Sequence, residues 1–217
     1  MLPITITRSL VASASTAIAA SQSPAAGAIT INGSLASGGV ATLDAQRRVV
    51  LTSGGNDSGV TFTVLGTNDA GFPISDAFVG GNGTTSNGVS NLDFKTVTQI
   101  SHSGSIASTL TAGTGNTGSS LWQIVNLNAT PDNFGFVIES RTGTAAFALE
   151  YTMDDPNILP GTGGLNAAGT TLPLATLITT AIGAANFTTP IFAWRLTTNS
   201  GTGTLVIRAL QAGLASP

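Results

Sequence analysis

Hydrophobic and polar residues alternate one by one along several stretches of this chain. Val60, Phe62 and Val64 fall on one side of an extended backbone and Thr61 and Thr63 on the other, and Phe147, Leu149, Tyr151 and Met153 alternate in the same way with Ala148, Glu150 and Thr152. A period of two marks a strand with one buried face, because successive side chains leave a pleated backbone on opposite sides. Runs rich in β-branched and aromatic residues predict further strands at Ile29 to Ile31, Arg48 to Thr52, Ile74 to Val79, Phe94 to Ser101, Trp122 to Leu127, Phe134 to Glu139, Phe192 to Thr198 and Thr204 to Leu210. Between them lie Gly54-Gly55-Asn56-Asp57-Ser58-Gly59, Asn68-Asp69-Ala70-Gly71, Gly80-Gly81-Asn82-Gly83 and Asn199-Ser200-Gly201, rich in the residues that accept the positive φ of tight hairpin turns. Only Leu174 to Ala185 offers a helix, and its Thr-rich sequence, broken by Gly183, reads equally as a loop with one or two turns.

The pattern predicts an all-β fold: an antiparallel β-sandwich, jelly-roll-like, built as one or two sandwich units with an extended N-terminal arm, since two antiparallel sheets can each hide a face against the other. Residues 1–28 are expected to be the arm, 29–112 a first sandwich unit, 113–120 a Gly-rich link and 121–217 a second unit. Arg8, Leu10, Val11 and the Ala-rich stretch that follows have the outline of a secretory signal, but Ser13, Ser15 and Thr16 interrupt its apolar segment, so an ordered arm is expected instead. The Gly- and Pro-rich Pro156 to Thr171 stretch is a second excursion, of a length that tends to be functional or to lie on a neighbour.

Composition changes this picture from a fold to a way of life. Only 8% of the 217 residues are charged, where a freely diffusing domain draws about a quarter of its residues from Asp, Glu, Lys and Arg. Those side chains keep protein surfaces hydrated and apart, so a chain that forgoes them either associates or is secreted, and an assembly subunit is the first expectation. The net charge of −3 comes from singly scattered residues, without a basic cluster to neutralise phosphates, which predicts no nucleic-acid partner. No stretch approaches the roughly 18 apolar residues of a membrane-spanning helix, and no membrane partner is expected. Cysteine is absent, which removes disulfides and thiolate chemistry.

Candidate chemistry is sparse. Gly113-Thr114-Gly115-Asn116-Thr117-Gly118 satisfies G-x-G-x-x-G, yet it leads into an apparent strand at Trp122 rather than the helix a phosphate site needs, and it reads as a flexible link. Asp154-Asp155-Pro156 could give two oxygens to a hard cation but lacks the spacing of further ligands, and reads as a solvated turn. Asp57 and Asp69 sit in Asn-Asp-x-Gly turns as turn formers. His102, the single histidine, lies between Ser101 and Ser103 outside any nucleophile elbow and reads as a strand-surface residue. Trp122, Trp194 and Tyr151 fall in strand-like runs where a core role is expected over sugar stacking, and Arg195 is expected to face outward and pair with a neighbouring subunit. Catalytic, cofactor-binding and metal-ligating residues are therefore all expected to be none, with no cofactor.

The order of features resembles virion proteins of tailed bacteriophages. The likeness is carried by Ala28-Ile29-Thr30-Ile31-Asn32-Gly33 after the arm, by Gln46-Arg47-Arg48-Val49-Val50-Leu51-Thr52-Ser53 running into Asn56-Asp57-Ser58-Gly59-Val60-Thr61-Phe62, and by Phe94-Lys95-Thr96-Val97-Thr98-Gln99-Ile100. In the second half it is carried by Leu149-Glu150-Tyr151-Thr152-Met153-Asp154-Asp155-Pro156, Phe192-Ala193-Trp194-Arg195-Leu196-Thr197 and Val206-Ile207-Arg208-Ala209-Leu210. The resemblance implies a non-enzymatic structural subunit: a head decoration or cement protein, assembled in the bacterial host cytoplasm and residing in the virion, that binds the major capsid protein and copies of itself, as a homotrimer. Competing expectations are a tail or neck component (adaptor, tube or fibre base), a carbohydrate-binding module or adhesin with an exposed aromatic platform, and a hydrolase with His102 or a perturbed acid in a pocket.

Overall fold

The computed structural model describes residues 4–24, 27–83, 85–126, 129–153, 155, 172–179, 183–187 and 191–215, with the backbone alone described at 129–134, 140, 172–179, 183–187 and 212–215. Among them every regular element is a strand: β1 (Ile4–Leu10), β2 (Ala19–Gln22), β3 (Ala28–Ile29), β4 (Ala36–Ser37), β5 (Val40–Ser53), β6 (Thr61–Thr67), β7 (Pro73–Val79), β8 (Gly88–His102), β9 (Leu110–Ser119), β10 (Gln123–Ile124), β11 (Ala129–Gly143), β12 (Ala146–Thr152), β13 (Leu172–Thr179), β14 (Gly183–Phe187), β15 (Ala193–Ser200) and β16 (Gly203–Ala215). The fold is all-β and antiparallel, a β-sandwich as the alternation predicts. Leu174 to Ala185, which reads equally as a helix or a loop with one or two turns, is instead strand in its described parts, within β13 and β14. Thr and Ile are stiff at χ1 and favour the extended backbone over the helix.

The chain divides into two compact units, one formed by Ser13–Gly118 and the other by the described residues of Met1–Ala12 and of the chain from Ser119 onward. In the first, β9, β5, β8, β6 and β7 are neighbours in that order, with β2 added to β9, β3 to β8 and β4 to β5. Its core gathers Phe62, Val64, Ile74, Phe78, Phe94, Val97, Ile100, Leu43, Val49, Leu51, Leu110 and Ile18. Phe62 and Val64 are completely buried at 0% exposure while Thr61 is exposed, which is the side assignment the period of two demands. The long strands β5 and β8 do not run straight: their register shifts between Thr42 and Arg47 and again between Arg48 and Val50. Bulges of this kind bend a strand and tighten its twist.

Residues 1–28 do not form one arm. Ile4–Leu10 is the edge strand β1 of the second unit, paired along its whole length with β16. From Ser13 the chain belongs to the first unit, where Ala17, Ile18 and Ala19 are buried and β2 joins β9. Among the described residues of the Ala- and Ser-rich stretch, burial is confined to these three, and Ser13 to Thr16 before them remain exposed. The segment 113–120 is likewise strand rather than link through Ser119, and the passage between units falls between Gly118 and Ser119. Its glycines serve close packing: a Cβ at Gly113 would collide with the Ala14 carbonyl oxygen, and one at Gly118 would come within 2.5 Å of the Gln46 carbonyl oxygen.

The second unit is a sandwich in the strict sense. One layer has the order β1-β16-β11-β14, and the facing one is built from β13, β12, β15 and β10. Phe136 and Ile138 of β11 with Leu205, Ile207 and Ala209 of β16 meet Phe147 and Leu149 of β12 with Trp194 and Leu196 of β15. Phe136 and Trp194 stand edge to face at 5.2 Å between centroids, the arrangement that ring quadrupoles favour. The alternation in β12 ends before Met153, which is 61% exposed while Thr152 is buried at 1%.

Candidate functional site

The most elaborate polar constellation is internal. Arg47 has no solvent exposure at all. Its Nη1 donates to both carboxylate oxygens of Asp44, at 2.8 and 3.0 Å, and its Nε donates to the Gly115 carbonyl at 2.8 Å, with Nη2 on the same oxygen. A guanidinium buried this deeply requires such saturation, because each unmet donor would add to the cost of removing the charge from water. The register shift between Thr42 and Arg47 makes the contact, since residues three apart on a regular strand face opposite ways. Around the same bulge, Gln46 accepts from the Asp69 amide at 2.8 Å and Lys95 donates to the Asp44 carbonyl at 3.0 Å, its ammonium 3.9 Å from Asp69. The second irregularity is held the same way. Ser90 Oγ accepts from the Val49 amide, the Asp76 carboxylate accepts from the Asn91 and Leu92 amides, and Arg48 Nε lies 2.7 Å from Asp93 as an ion pair without hydrogen-bond alignment.

G-x-G-x-x-G therefore has a use, though not toward a nucleotide. Its Gly115 carbonyl receives the buried arginine, and its flanking glycines let β5 and the Ala14 segment approach. Nothing in the sequence forecasts this pairing, because Asp44, Arg47 and Gly115 are brought together by bulges and not by spacing.

Asp57 and Asp69 are placed at turns, but the turns are made by their neighbours. Asn56 Oδ1 accepts from the Ser58 amide and Asn68 Oδ1 from the Ala70 amide, each two residues on. That frees Asp57, 1% exposed, to join distant segments: its carboxylate receives the Ser53 hydroxyl and the Ala107 amide. Asp57→Ala leaves the buried Ser53 hydroxyl without its acceptor and frees the Ala107 amide, and is expected to destabilise the first unit by about 1–3 kcal/mol, with Asp57→Asn milder, as read from urea unfolding by circular dichroism.

His102 is half-buried in β8, its Nδ1 2.6 Å from the Gly104 carbonyl, so that nitrogen carries the proton and donates. Its Nε2 is buried with no hydrogen-bond partner, and the ring tilts against Phe62 at 6.1 Å. Ser103 Oγ meanwhile accepts from the Thr61 amide. Neither ring nitrogen therefore engages a serine or a carboxylate. Among the described residues no three of His, Asp and Glu converge as a metal set. Asp154 and Pro156 of the Asp-Asp-Pro motif, and the Pro156 to Thr171 excursion, lie outside the described residues.

Trp194 and Trp122 are buried at 1% and 3% exposure, as their strand context predicts, and offer no platform for a sugar. Arg195 differs from expectation. It is buried inside its own unit, with Nε 2.9 Å from Glu150 and its guanidinium carbon 4.6 Å from the centre of the Trp122 ring. Arg141 and Arg208 share Glu139 at 3.0 and 3.2 Å, and Arg8 also has a partner within the chain. Each arginine and the single lysine thus interacts with groups of the chain itself. Among the described residues, the exposed positions are mostly Thr, Ser, Asn, Gly and Ala, with Arg141 and Arg208 half-exposed in their ion pairs and with exposed apolar side chains between them: Phe72, Val79 and Val89 in the first unit, Leu210 and Val137 in the second. No protein-family model and no curated protein matches the chain.

Proposed function

We propose that this protein is a non-catalytic structural subunit of a tailed-bacteriophage particle, a decoration or cement protein that lies on the capsid shell, binding the major capsid protein and copies of itself in a homotrimer. The disposition of charge carries the reading. Arg47, Arg48, Lys95, Arg141, Arg195 and Arg208 each pair with a carboxylate of the same chain, so little ionic character remains to hold neighbours off. Thr, Ser and Asn surfaces lose less side-chain entropy on docking than Lys or Glu would, and need no ion desolvated. Scattered apolar positions such as Phe72 at 52% and Val79 at 60% exposure gain by being covered. A stable shell contact of this kind buries about 1,000 Å² or more.

Two measurements test it. Light scattering of the purified protein is expected to show a discrete oligomer whose mass is unchanged from low to high salt, because ion pairs between copies do not hold it. Immunogold labelling of tailed particles with antibody to this chain is expected to decorate heads. Label confined to tail or neck, or particles free of label, would refute the shell assignment, and a monomer at all concentrations would refute self-association.

A further inference from the structure

The path of the first strand has a consequence for how copies join. β1 belongs to the second unit, but the residues after it, Val11 to Ser13, are exposed and lead directly into the first. Everything else in the second unit comes from the chain beyond Gly118. The β1 strand therefore reaches its place only by pairing with the last strand of the fold: Ser9 and Thr204, whose hydroxyls are 3.0 Å apart, are 195 positions apart in sequence. The β1–β16 ladder runs from Ile4↔Ala209 to Leu10↔Gly203 without a register shift, whereas β11 on the other side of β16 shifts twice. It is a self-contained ladder. Only Leu10 is fully buried and only Ile6 packs on the core as a partly buried residue, so little apolar area opposes release of the strand.

Without β1, the edge of β16 would present a row of unpaired amides and carbonyls, in a chain with few charges to guard an open edge. Any identical strand satisfies that edge equally well. Closing a loop this long costs more entropy than local folding, and a short exposed segment such as Val11 to Ser13 can serve as the hinge of an exchange between copies. We propose that β1 is exchanged between copies: Ile4–Leu10 of one chain completes the second unit of the next by pairing with its β16. Passed head to tail, the exchange closes a ring, as a cyclic trimer requires. The inference rests on the self-association proposed above and specifies its joint.

Because the chain has no cysteine, introduced thiols report on this pair alone. Ser9→Cys and Thr204→Cys place two sulfurs where the two hydroxyls now touch. Co-expressing the two single variants, one carrying a size tag, and oxidising the product is expected to give a mixed disulfide between tagged and untagged chains. The double variant is expected to run on a non-reducing gel at multiples of the chain mass. A double variant bridged only within itself, while light scattering still shows an oligomer, overturns the exchange and leaves the self-association standing. The same internal bridge in a monomer overturns both. Should that pair impair folding, Thr7→Cys with Val206→Cys, the register pair two positions along, is read in the same way.

Discussion

Asp44→Ala is expected to lower the unfolding free energy of this protein by about 3–5 kcal/mol, the usual cost of leaving a buried ion without its partner. Arg47, at 0% exposure, loses two hydrogen bonds to a carboxylate, and the Gly115 carbonyl that it keeps carries no countercharge. Asp44 itself keeps 19% of its side-chain surface, so the reverse deletion strands the less buried of the two charges. Arg47→Met, similar in volume, is therefore expected to cost less, about 1–3 kcal/mol, mainly for the carbonyl left without a donor. The double variant is the decisive comparison: with both charges removed it is expected to be more stable than Asp44→Ala alone. Urea unfolding followed by circular dichroism measures all three, and a double variant no better than the single would show that the pair does not act as a unit.

The second unit has its own keystone. Trp194→Ala removes the largest side chain buried below 2% exposure, from a position where it meets Phe136 edge to face across the two layers. A cavity of that size is expected to cost about 3–5 kcal/mol, with part of the loss specific to the ring pair. A cycle with Phe136→Leu isolates that part, expected at about 0.5–1.5 kcal/mol. The same substitution in a protein whose tryptophans served as a ligand platform would spare stability and abolish binding instead, so the measurement also separates a core role from a sugar-binding one.

The value of period-two patterning depended on what stood opposite each strand. Val60-Thr61-Phe62-Thr63-Val64 was readable because one face is fully buried and the other wet. Ile4 to Leu10 alternates too, as Ile-Thr-Ile-Thr, yet its meaning as the edge of a sandwich depends on β16, which no local window contains. β9 escaped notice for the opposite reason. Its Gly113 and Gly118 have no side chain to form a pattern, and the advantage of that absence is visible only once the Ala14 and Gln46 backbones are seen packed against them. Trp122 and Trp194 were legible as core, being large apolar groups in β-prone runs. Arg195 was not, since alternation assigns its face but cannot reveal Glu150 and Trp122 waiting there.

Side-chain order along the backbone was enough to establish that this is an antiparallel β protein, which face of its clearly alternating strands is buried, and that the chain is poor in charge, because burial repeats every second residue and composition is independent of conformation. Which strands are neighbours, where the first strand belongs, and why Arg47 and Arg195 can lie in the interior were decided by tertiary structure. Those outcomes depend on bulges that change register by two or three residues and on pairings nearly the length of the chain apart, and neither leaves a periodic trace in the sequence.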